Sequence, residues 1–197
     1  ELVFLKEMHE EIPGIFNKLD GWASHSYPNP GFVGSPDTTG RGTIQTYLWE
    51  LSRLSELGLT KNLPVFIIET GWKHAEGIQF NRSLPSAQTV ALYYQNAFEN
   101  AWNDPKIVAV TPFLLNYQES PFDHFSFKKV ANRSLDPQIL EGSYPEYYPQ
   151  YETLLKLPKN SGRPIQDNIG QLEKGEIYQS IVSGEHYQVS LTFKNTG

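Results

Sequence analysis

The chain has 197 residues, of which 39% are hydrophobic and 19% are charged, and its formal net charge is −6. This length and apolar content allow a buried core, with room for one domain and part of another. The negative charge and the lack of a Lys/Arg-rich run argue against a nucleic-acid partner or an anionic membrane surface, and no segment is apolar for long enough to enter a bilayer as a span. Because the sequence has no cysteine, disulfides and thiolate metal sites are excluded.

The spacing of apolar residues predicts four helices that alternate with three strands. The helices are predicted over 2–19 with a break at Pro13, over 43–57, over 87–102 and over 147–157. The strands are predicted over 20–28, 63–72 and 106–115. Alternation of this kind is typical of repeated β-α units on a parallel sheet, so the predicted fold class is α/β. A Pro/Asn/Gly-rich loop through Gly42 is too long for a simple connection and predicts a lip of a functional site.

The strand Leu63-Pro-Val-Phe-Ile-Ile-Glu-Thr-Gly-Trp72 delivers a carboxylate at its end. Its apolar, β-branched run predicts a strand buried on both faces of a parallel sheet. At the C-terminal end of such a strand, Glu69 would emerge where α/β enzymes place their sites. Burying a charge without a purpose is costly, so Glu69 is the first candidate for catalysis. The alternative is a carboxylate that caps the next helix or pairs with a basic residue.

The chain changes character from about residue 161. Short alternating runs at 176–182 and 186–193, separated by Ser183-Gly184, predict a hairpin of a small β-domain that follows a linker over 157–164. We therefore divide the chain into 1–160 and 161–197. The last run stops at turn residues where a sheet normally continues, so we expect both ends to be cuts through a longer protein.

Two of the predicted strands carry a family resemblance. Asp20-Gly-Trp-Ala-Ser-His-Ser-Tyr-Pro28 resembles the sixth-strand motif of clan A glycoside hydrolases, and Pro64-Val-Phe-Ile-Ile-Glu-Thr-Gly-Trp72 resembles their seventh-strand motif. Thr111-Pro-Phe-Leu-Leu-Asn-Tyr117 then corresponds to the eighth strand. The resemblance covers about four-fifths of the chain. It implies the C-terminal portion of a (β/α)8 TIM barrel, from the helix before strand six onward, followed by an incomplete β-sandwich-like extension.

The resemblance also implies a retaining mechanism on a β-linked poly- or oligosaccharide. In such a mechanism two carboxyl groups about 5–5.5 Å apart flank the scissile bond, one as nucleophile and one as acid/base. Glu69 matches the nucleophile position. The acid/base residue of this clan lies in an Asn-Glu pair at the end of strand four, and no such pair occurs here. We therefore expect that residue to lie outside this chain, and this chain alone to be inactive. No metal or organic cofactor is implied.

Tyr27 and His25 are the candidates that would act beside Glu69. Tyr27 is predicted to donate its hydroxyl to the Glu69 carboxylate, as a tyrosine of this clan often does, and an ordinary half-buried tyrosine is the alternative. His25 lies on the same alternating face of the strand, so both side chains are expected at the barrel mouth. His25 is predicted to bind the substrate or Glu69. The alternative is a core histidine bonded to a backbone carbonyl, and the other histidines show no metal-ligand spacing.

The remaining candidates are predicted to contact the substrate. Trp72 offers a flat face to a pyranose at the rim of the site, with packing under the loop as the alternative. Many clan members have a tryptophan platform after the eighth strand; this sequence has none, and Tyr117 or Phe122 is predicted to replace it. Asn116 and Asp123 are predicted to bind sugar hydroxyls, although exposed loop side chains are more often merely solvated.

Two other functions stay open at this point. One is a non-catalytic carbohydrate-binding or cell-surface protein that keeps the barrel as a scaffold, and the other is a free-standing α/β domain with a different small ligand. In the barrel interpretation three strands leave open edges, through which the chain is expected to associate. We favour a secreted or cell-surface location in a bacterium and leave a cytoplasmic one open.

Overall fold

The structure, a computed structural model, describes residues 2–130, 146–158, 170–176 and 182–195. The chain divides into two compact units, Glu1–Leu157 and Pro158–Gly197, and the division falls close to the predicted boundary after residue 160. Within the described ranges, no helix has the length and apolar character that crossing a bilayer requires.

The helices and strands of the first unit alternate in the predicted order. The helices are α1 (Leu2–Glu11), α2 (Thr46–Glu56), α3 (Ala87–Asn96) and α4 (Pro149–Lys156). The strands are β1 (Trp22–Ser24), β2 (Val65–Thr70) and β3 (Ile107–Pro112). Each element lies inside its predicted range, so the α/β fold class is confirmed.

The helix ends follow local chemistry. The chain leaves α1 just before Pro13, because proline has no N–H to donate and its ring clashes with the preceding turn. Gly58, with a φ of +89°, follows the end of α2. The Ser86 hydroxyl caps α3 by accepting from the Thr89 N–H at 3.1 Å, and α3 continues into a π-helical turn over Ala97–Ala101.

The three strands form a parallel sheet in the order β1-β2-β3. Phe66 in the central strand is paired with Ala23 on one side and with Ala109 on the other. Because the strands are parallel, their C-terminal ends meet at one edge of the sheet. Glu69 lies at that edge. The described strands do not close into a barrel.

One face of this sheet forms the main core together with the helices. Val65 and Ile67 of β2 are fully buried there. They belong to one hydrophobic cluster with Tyr47 of α2 and with Val90 and Tyr94 of α3. Burial of aliphatic side chains at this level stabilises the unit by about 1.5–3 kcal/mol for each side chain.

The opposite face of the sheet is open, so the prediction that β2 is buried on both faces is wrong. Phe66 and Ile68 are exposed, and Val108 of β3 is 60% exposed. In the part of the chain that the structure describes, the helices pack against the other side. The apolar pattern of β2 is real, but burial depends on what covers a strand as well as on its side chains.

The second unit contains an antiparallel pair of strands, β4 (Gly170–Glu176) and β5 (Ser190–Asn195). An antiparallel pair was expected here, but the first strand lies earlier in the chain than predicted. The side chains of 171–175 are exposed, so this strand forms by backbone pairing and lacks the apolar alternation on which the prediction rested. Residues 177–181, which belong to the predicted strand, lie outside the described residues. The β-sandwich-like character of this unit stays a prediction.

Candidate active site

Glu69 sits where the register of the sheet shifts. The pairing of β2 with β3 is irregular between Ile67 and Thr70, which frees Glu69 from strict alternation. Thr70 then locks the strand end, because its hydroxyl donates to the Ser26 carbonyl at 2.6 Å and its carbonyl accepts from the Phe113 N–H at 2.7 Å. The backbone beside Glu69 is therefore tied to both neighbouring strand ends.

The Glu69 carboxylate has a partner on each of its oxygens. The Tyr27 hydroxyl donates to Oε1 at 2.8 Å, so the predicted hydrogen bond is present. His25 Nδ1 lies 3.1 Å from Oε2, and the contact is an ion pair when His25 is protonated. The side chains of His25 and Glu69 remain 58% and 32% exposed. The carboxylate is thus oriented by two donors and still reachable from solvent.

The alternation of the chain after β1 explains why these two donors meet Glu69. Ser24 and Ser26 point to the helix side, where their hydroxyls lie 2.8 Å apart, and the Ser26 hydroxyl accepts from the Tyr47 N–H at 3.2 Å. His25 and Tyr27 consequently face the other way. The prediction that they share one face is confirmed.

The environment of Tyr27 keeps its hydroxyl protonated, so that it can donate a hydrogen bond. Burial first, and then its hydrogen bond to Glu69 and the charge of that carboxylate, raise the pKa of the Tyr27 hydroxyl above its ordinary value. The hydroxyl therefore stays protonated across the neutral range. The ring is held edge-on by Phe32, with centroids 4.9 Å apart, and by Phe125 at 6.2 Å.

Replacing Tyr27 by phenylalanine is expected to lower kcat about 10- to 100-fold, because a hydrogen bond to a charged group contributes about 1.5–3 kcal/mol. KM should change little, since Tyr27 contacts the carboxylate and not the sugar. Steady-state kinetics on an aryl glycoside measure both. Tyr47→Phe is the matched control: its hydroxyl also donates to a carboxylate, Asp104 Oδ2 at 3.0 Å, but on the helix side of the sheet. Equal losses of kcat in both variants would contradict a role for Tyr27 at the site.

Trp72 does not lie at the rim, and that prediction is wrong. Its side chain is 1% exposed and packs against Tyr94 and Trp102, with ring centroids 5.0 Å and 6.0 Å away. The indole N–H donates to the Gly34 carbonyl at 2.7 Å. Trp72 therefore anchors the loop after β1 and contributes to the site only through that loop.

The anchored loop carries Phe32 to the site. Phe32 has a φ of +65°, which is uncommon for a residue with a side chain. Its carbonyl accepts from the Lys73 N–H at 3.0 Å, which holds this conformation. The peptide bond between Asn29 and Pro30 in the same loop is cis. The loop that was predicted as a lip thus folds back so that the Phe32 ring supports Tyr27.

A chain of edge-to-face aromatic contacts runs from Tyr27 to the segment after β3. From Phe125 it passes to Phe113 and on to Phe122, with centroids 5.4 Å apart at each step. It ends at Tyr117, 5.5 Å from Phe122. Tyr117 and Phe122 are 39% and 40% exposed. The structure thus connects both platform candidates to Tyr27 through rings, and their contact with a sugar stays a prediction.

The two polar candidates after β3 are placed differently from Glu69. Asn116 is exposed, and its Oδ1 accepts from Gln118 Nε2 at 2.7 Å. Asp123 was expected on an exposed loop, but it is 3% exposed, and its Oδ2 accepts from the Ile78 N–H at 2.7 Å. Asp123 therefore joins the loops after β2 and β3, which corrects the prediction. No contact in the described ranges brings either residue to Glu69.

No protein-family model, curated protein or solved structure matches this sequence. The chemistry of the site therefore follows from its own geometry. Within the described residues, no group of three or more His, Cys, Asp or Glu side chains could hold a metal ion. A solvent-accessible carboxylate held by a neutral phenol and an imidazole is suited to act as a nucleophile or a base.

A second carboxylate-imidazole pair, His74 and Glu76, escaped the sequence analysis. His74 is fully buried, and its Nε2 donates to the Ser126 carbonyl at 2.9 Å. Its Nδ1 lies 3.5 Å from Glu76 Oε2, which also accepts from the Ala87 N–H at 2.8 Å. Burial opposes ionisation of Glu76, but the contact with His74 and the hydrogen bond from the Ala87 N–H outweigh it and lower the pKa of Glu76. The Glu76 side chain is 32% exposed, as that of Glu69 is, but its Oε2 is bound to the first residue of α3, so this pair joins the loop after β2 to that helix.

Lys73 was also missed. Its ammonium lies over the rings of Phe32 and Phe125, 5.2 Å and 5.6 Å from their centroids. Its place directly after Trp72 was a signal that it belongs to the same sheet edge as Glu69. The two rings come from distant loops, however, and no pattern in the sequence brings them together.

Proposed function

We propose that this chain carries the nucleophile half of a retaining glycoside hydrolase that acts on β-linked poly- or oligosaccharides. The observation that carries the proposal is Glu69 at the C-terminal end of β2, with Tyr27 on one oxygen, His25 near the other, and a path to solvent. A nucleophilic carboxylate has to be oriented and reachable by the anomeric carbon, and the two donors together with the partial exposure of Glu69 support this role.

In the first step a Glu69 oxygen attacks the anomeric carbon while the bond from that carbon to the leaving oxygen breaks. The leaving oxygen keeps the electron pair and takes a proton from the acid/base residue. Water then attacks the same carbon, gives its proton to that residue, and releases Glu69 as a carboxylate. The Tyr27 hydroxyl, neutral throughout, orients Oε1 before attack and stabilises the carboxylate when it is released.

The acid/base residue is proposed to come from polypeptide outside these 197 residues, together with the strands that would complete a barrel. Two features support this part of the proposal. The sequence contains no Asn-Glu pair, and the sheet presents an exposed apolar face at Phe66, Ile68 and Val108. Exposure of grouped apolar side chains to water is unfavourable, and burying them under other residues would stabilise the protein. Additional strands on the outer edges of β1 and β3 would cover them.

The proposal is tested by trapping the glycosyl-enzyme. A 2-deoxy-2-fluoro β-glycoside with a dinitrophenolate leaving group needs no acid, and its fluorine slows release, so the covalent ester should accumulate. Gluco- and manno-configured reagents are both used. Trypsin cleaves after Lys61 and Lys73, and the peptide 62–73 contains Glu69 as its only carboxylate. Mass spectrometry should find the added sugar on that peptide, with one dinitrophenolate released for each chain.

Two variants serve as controls for the trapping. Glu69→Gln should abolish the label. Glu76→Gln removes a nearby carboxylate that is held by Ala87 and His74, and it should leave the label in place. A label on another peptide would show a different nucleophile and contradict the role of Glu69. Tight binding of an oligosaccharide with no label at all would support the non-catalytic carbohydrate-binding alternative. The exposed rings of Tyr117 and Phe122 are the feature that favours that alternative.

A further inference from the structure

Within the described residues, the Lys73 ammonium forms no ion pair, whereas several other basic side chains of the first unit do. Arg53, Lys106 and Lys128 each form an ion pair with a carboxylate. Lys73 is half-buried. Its contacts in the described part of the chain are the two aromatic rings, 5.2 Å and 5.6 Å away. The rings attract the ammonium but carry no counter-charge, so an anionic ligand would add an ion pair at this position.

The ammonium borders a pocket of about 430 Å³ between the loops that follow β2 and β3. This volume lies in the range of small-ligand sites, roughly 300–1,000 Å³. Gln79 and Ser120 add hydrogen-bond donors to the lining, and Ile78 and Pro121 add apolar walls. His124 also lines the pocket. Its Nδ1 faces the His74 carbonyl at 2.8 Å and therefore donates there.

Asp123 also lines this pocket, and its carboxylate is turned into the protein. It is 3% exposed, and its Oδ2 is held by the Ile78 N–H. It forms no ion pair with Lys73 in the described part of the chain. Lys73 is therefore the charged side chain of this lining that a ligand can reach.

The pocket is linked to the candidate nucleophile through two aromatic rings. The two rings beneath Lys73, Phe32 and Phe125, are the same rings that hold Tyr27 edge-on. Tyr27 in turn donates to Glu69. A sugar chain bound at the Glu69 carboxylate that extended over these two rings would reach the Lys73 ammonium.

We propose that this pocket is a subsite for a negatively charged substituent of the carbohydrate, in which Lys73 pairs with an oxyanion on a sugar ring. The substrate class is then an acidic β-linked saccharide, such as a polyuronide or a sulfated glucan or mannan. The ammonium supplies the charge, and Ser120 and Gln79 supply hydrogen bonds to the same oxygens. This inference rests on the proposed function for its carbohydrate, but the binding that it predicts does not need turnover.

Binding is measured by isothermal titration with matched β-1,4-linked trisaccharides. Trimannuronate is compared with mannotriose, and triglucuronate with cellotriose, so that within each pair the carboxylate is the difference. A 6-O-sulfated cellotriose distinguishes a sulfate ester from a uronate. At least one acidic trisaccharide should bind about 10-fold or more tightly than its neutral partner, which is the effect of one charged hydrogen bond. The preference should shrink as salt is raised.

Lys73→Met should remove this preference while the neutral trisaccharides bind within about 2-fold of wild type. Lys73→Arg keeps the charge and should keep most of the preference. Lys156→Met, an exposed lysine in the last turn of α4, is the matched control and should change nothing. Circular dichroism melting of each variant checks that it folds.

An acidic preference that persists in Lys73→Met, or no preference for any acidic trisaccharide, would overturn the inference. The two proposals fail separately. If glycosyl trapping does not label Glu69 but uronate binding depends on Lys73, the subsite stands without the catalytic role. If Glu69 is labelled and neither anion is preferred, the catalytic role stands and the acidic substrate class is wrong.

Discussion

Replacing Glu69 by glutamine in the intact protein should lower kcat on an aryl β-glycoside by at least about 1,000-fold, because loss of a nucleophile removes the covalent step itself. Folding should persist. The amide keeps an oxygen that can accept from Tyr27, and the contact with the exposed His25 belongs to the class of ion pairs that contribute about 0–1 kcal/mol. Kinetics and thermal unfolding of the same preparation test both halves of this expectation.

A nucleophile is distinguished from a general base by chemical rescue. In Glu69→Gly the missing side chain leaves room for azide, which should attack the anomeric carbon of a dinitrophenyl glycoside from the face where the carboxylate stood. Turnover should recover with added azide, and the product should be the α-glycosyl azide, with configuration opposite to the β-linked substrate. A general base would be rescued with transfer of water and no azide adduct.

Glu76→Gln is the control for these kinetics, since Glu76 also follows β2 closely, six residues after its end, but contacts His74 and Ala87 instead of Tyr27 and His25. Its kcat should stay within about 3-fold of wild type, a change of well under 1 kcal/mol. If Glu69→Gln retains wild-type activity, Glu69 is not the nucleophile and the glycoside hydrolase proposal fails with it.

The arrangement around Glu69 was predictable because it depends on short-range periodicity. Alternation along one strand places His25 and Tyr27 on a common face, and parallel strands bring their C-terminal ends to the same edge. Those two rules bring the ends of the two strands together and place His25 and Tyr27 on one face. Glu69 reaches that face only because the pairing of β2 with β3 is irregular between Ile67 and Thr70, and strict alternation would have turned it toward Val65 and Ile67.

Trp72 and Lys73 were not predictable in the same way. Both follow the strand end, and which one faces the core depends on how the chain turns at Gly71. The partners of Trp72 are Tyr94 and the Gly34 carbonyl, and those of Lys73 are rings from two separate loops. A tryptophan at a site rim and one under a loop have the same local sequence, so tertiary contacts decide between them.

The burial of β2 was mispredicted for a related reason. The apolar residues of a strand reflect every surface that is buried in the complete folded protein, including a surface buried by polypeptide that is distant in sequence. Phe66 and Ile68 are residue types that usually lie in a core, but both are exposed here. Their exposure is what the barrel proposal would explain.

Gly71 lies in the turn that follows Glu69, where the chain packs closely against the end of β3. Gly71→Ala should destabilise the protein by about 3 kcal/mol. A Cβ added at Gly71 would lie 2.6 Å from the Phe113 carbonyl oxygen and 2.8 Å from the Tyr94 hydroxyl. Neither can easily move away, because the Phe113 N–H is bonded to Thr70 and Tyr94 is fully buried. A change of this size lowers the Tm by roughly 6–12 °C for a unit of this length.

Gly40→Ala is a control that measures the cost of placing alanine at a positive φ without a steric clash of the added Cβ. Gly40 has a φ of +94° and no atom within 4 Å of an added Cβ, so its variant should lose only about 1–2 kcal/mol. Tyr94→Phe removes one of the two colliding atoms, and in the double variant with Gly71→Ala it should recover part of the loss.

Because Gly71 lies two residues after Glu69, any Gly71→Ala protein that folds should also lose activity through displacement of the carboxylate. A Gly71→Ala variant with wild-type Tm would mean that the ends of β2 and β3 are not packed as closely as the nucleophile position requires.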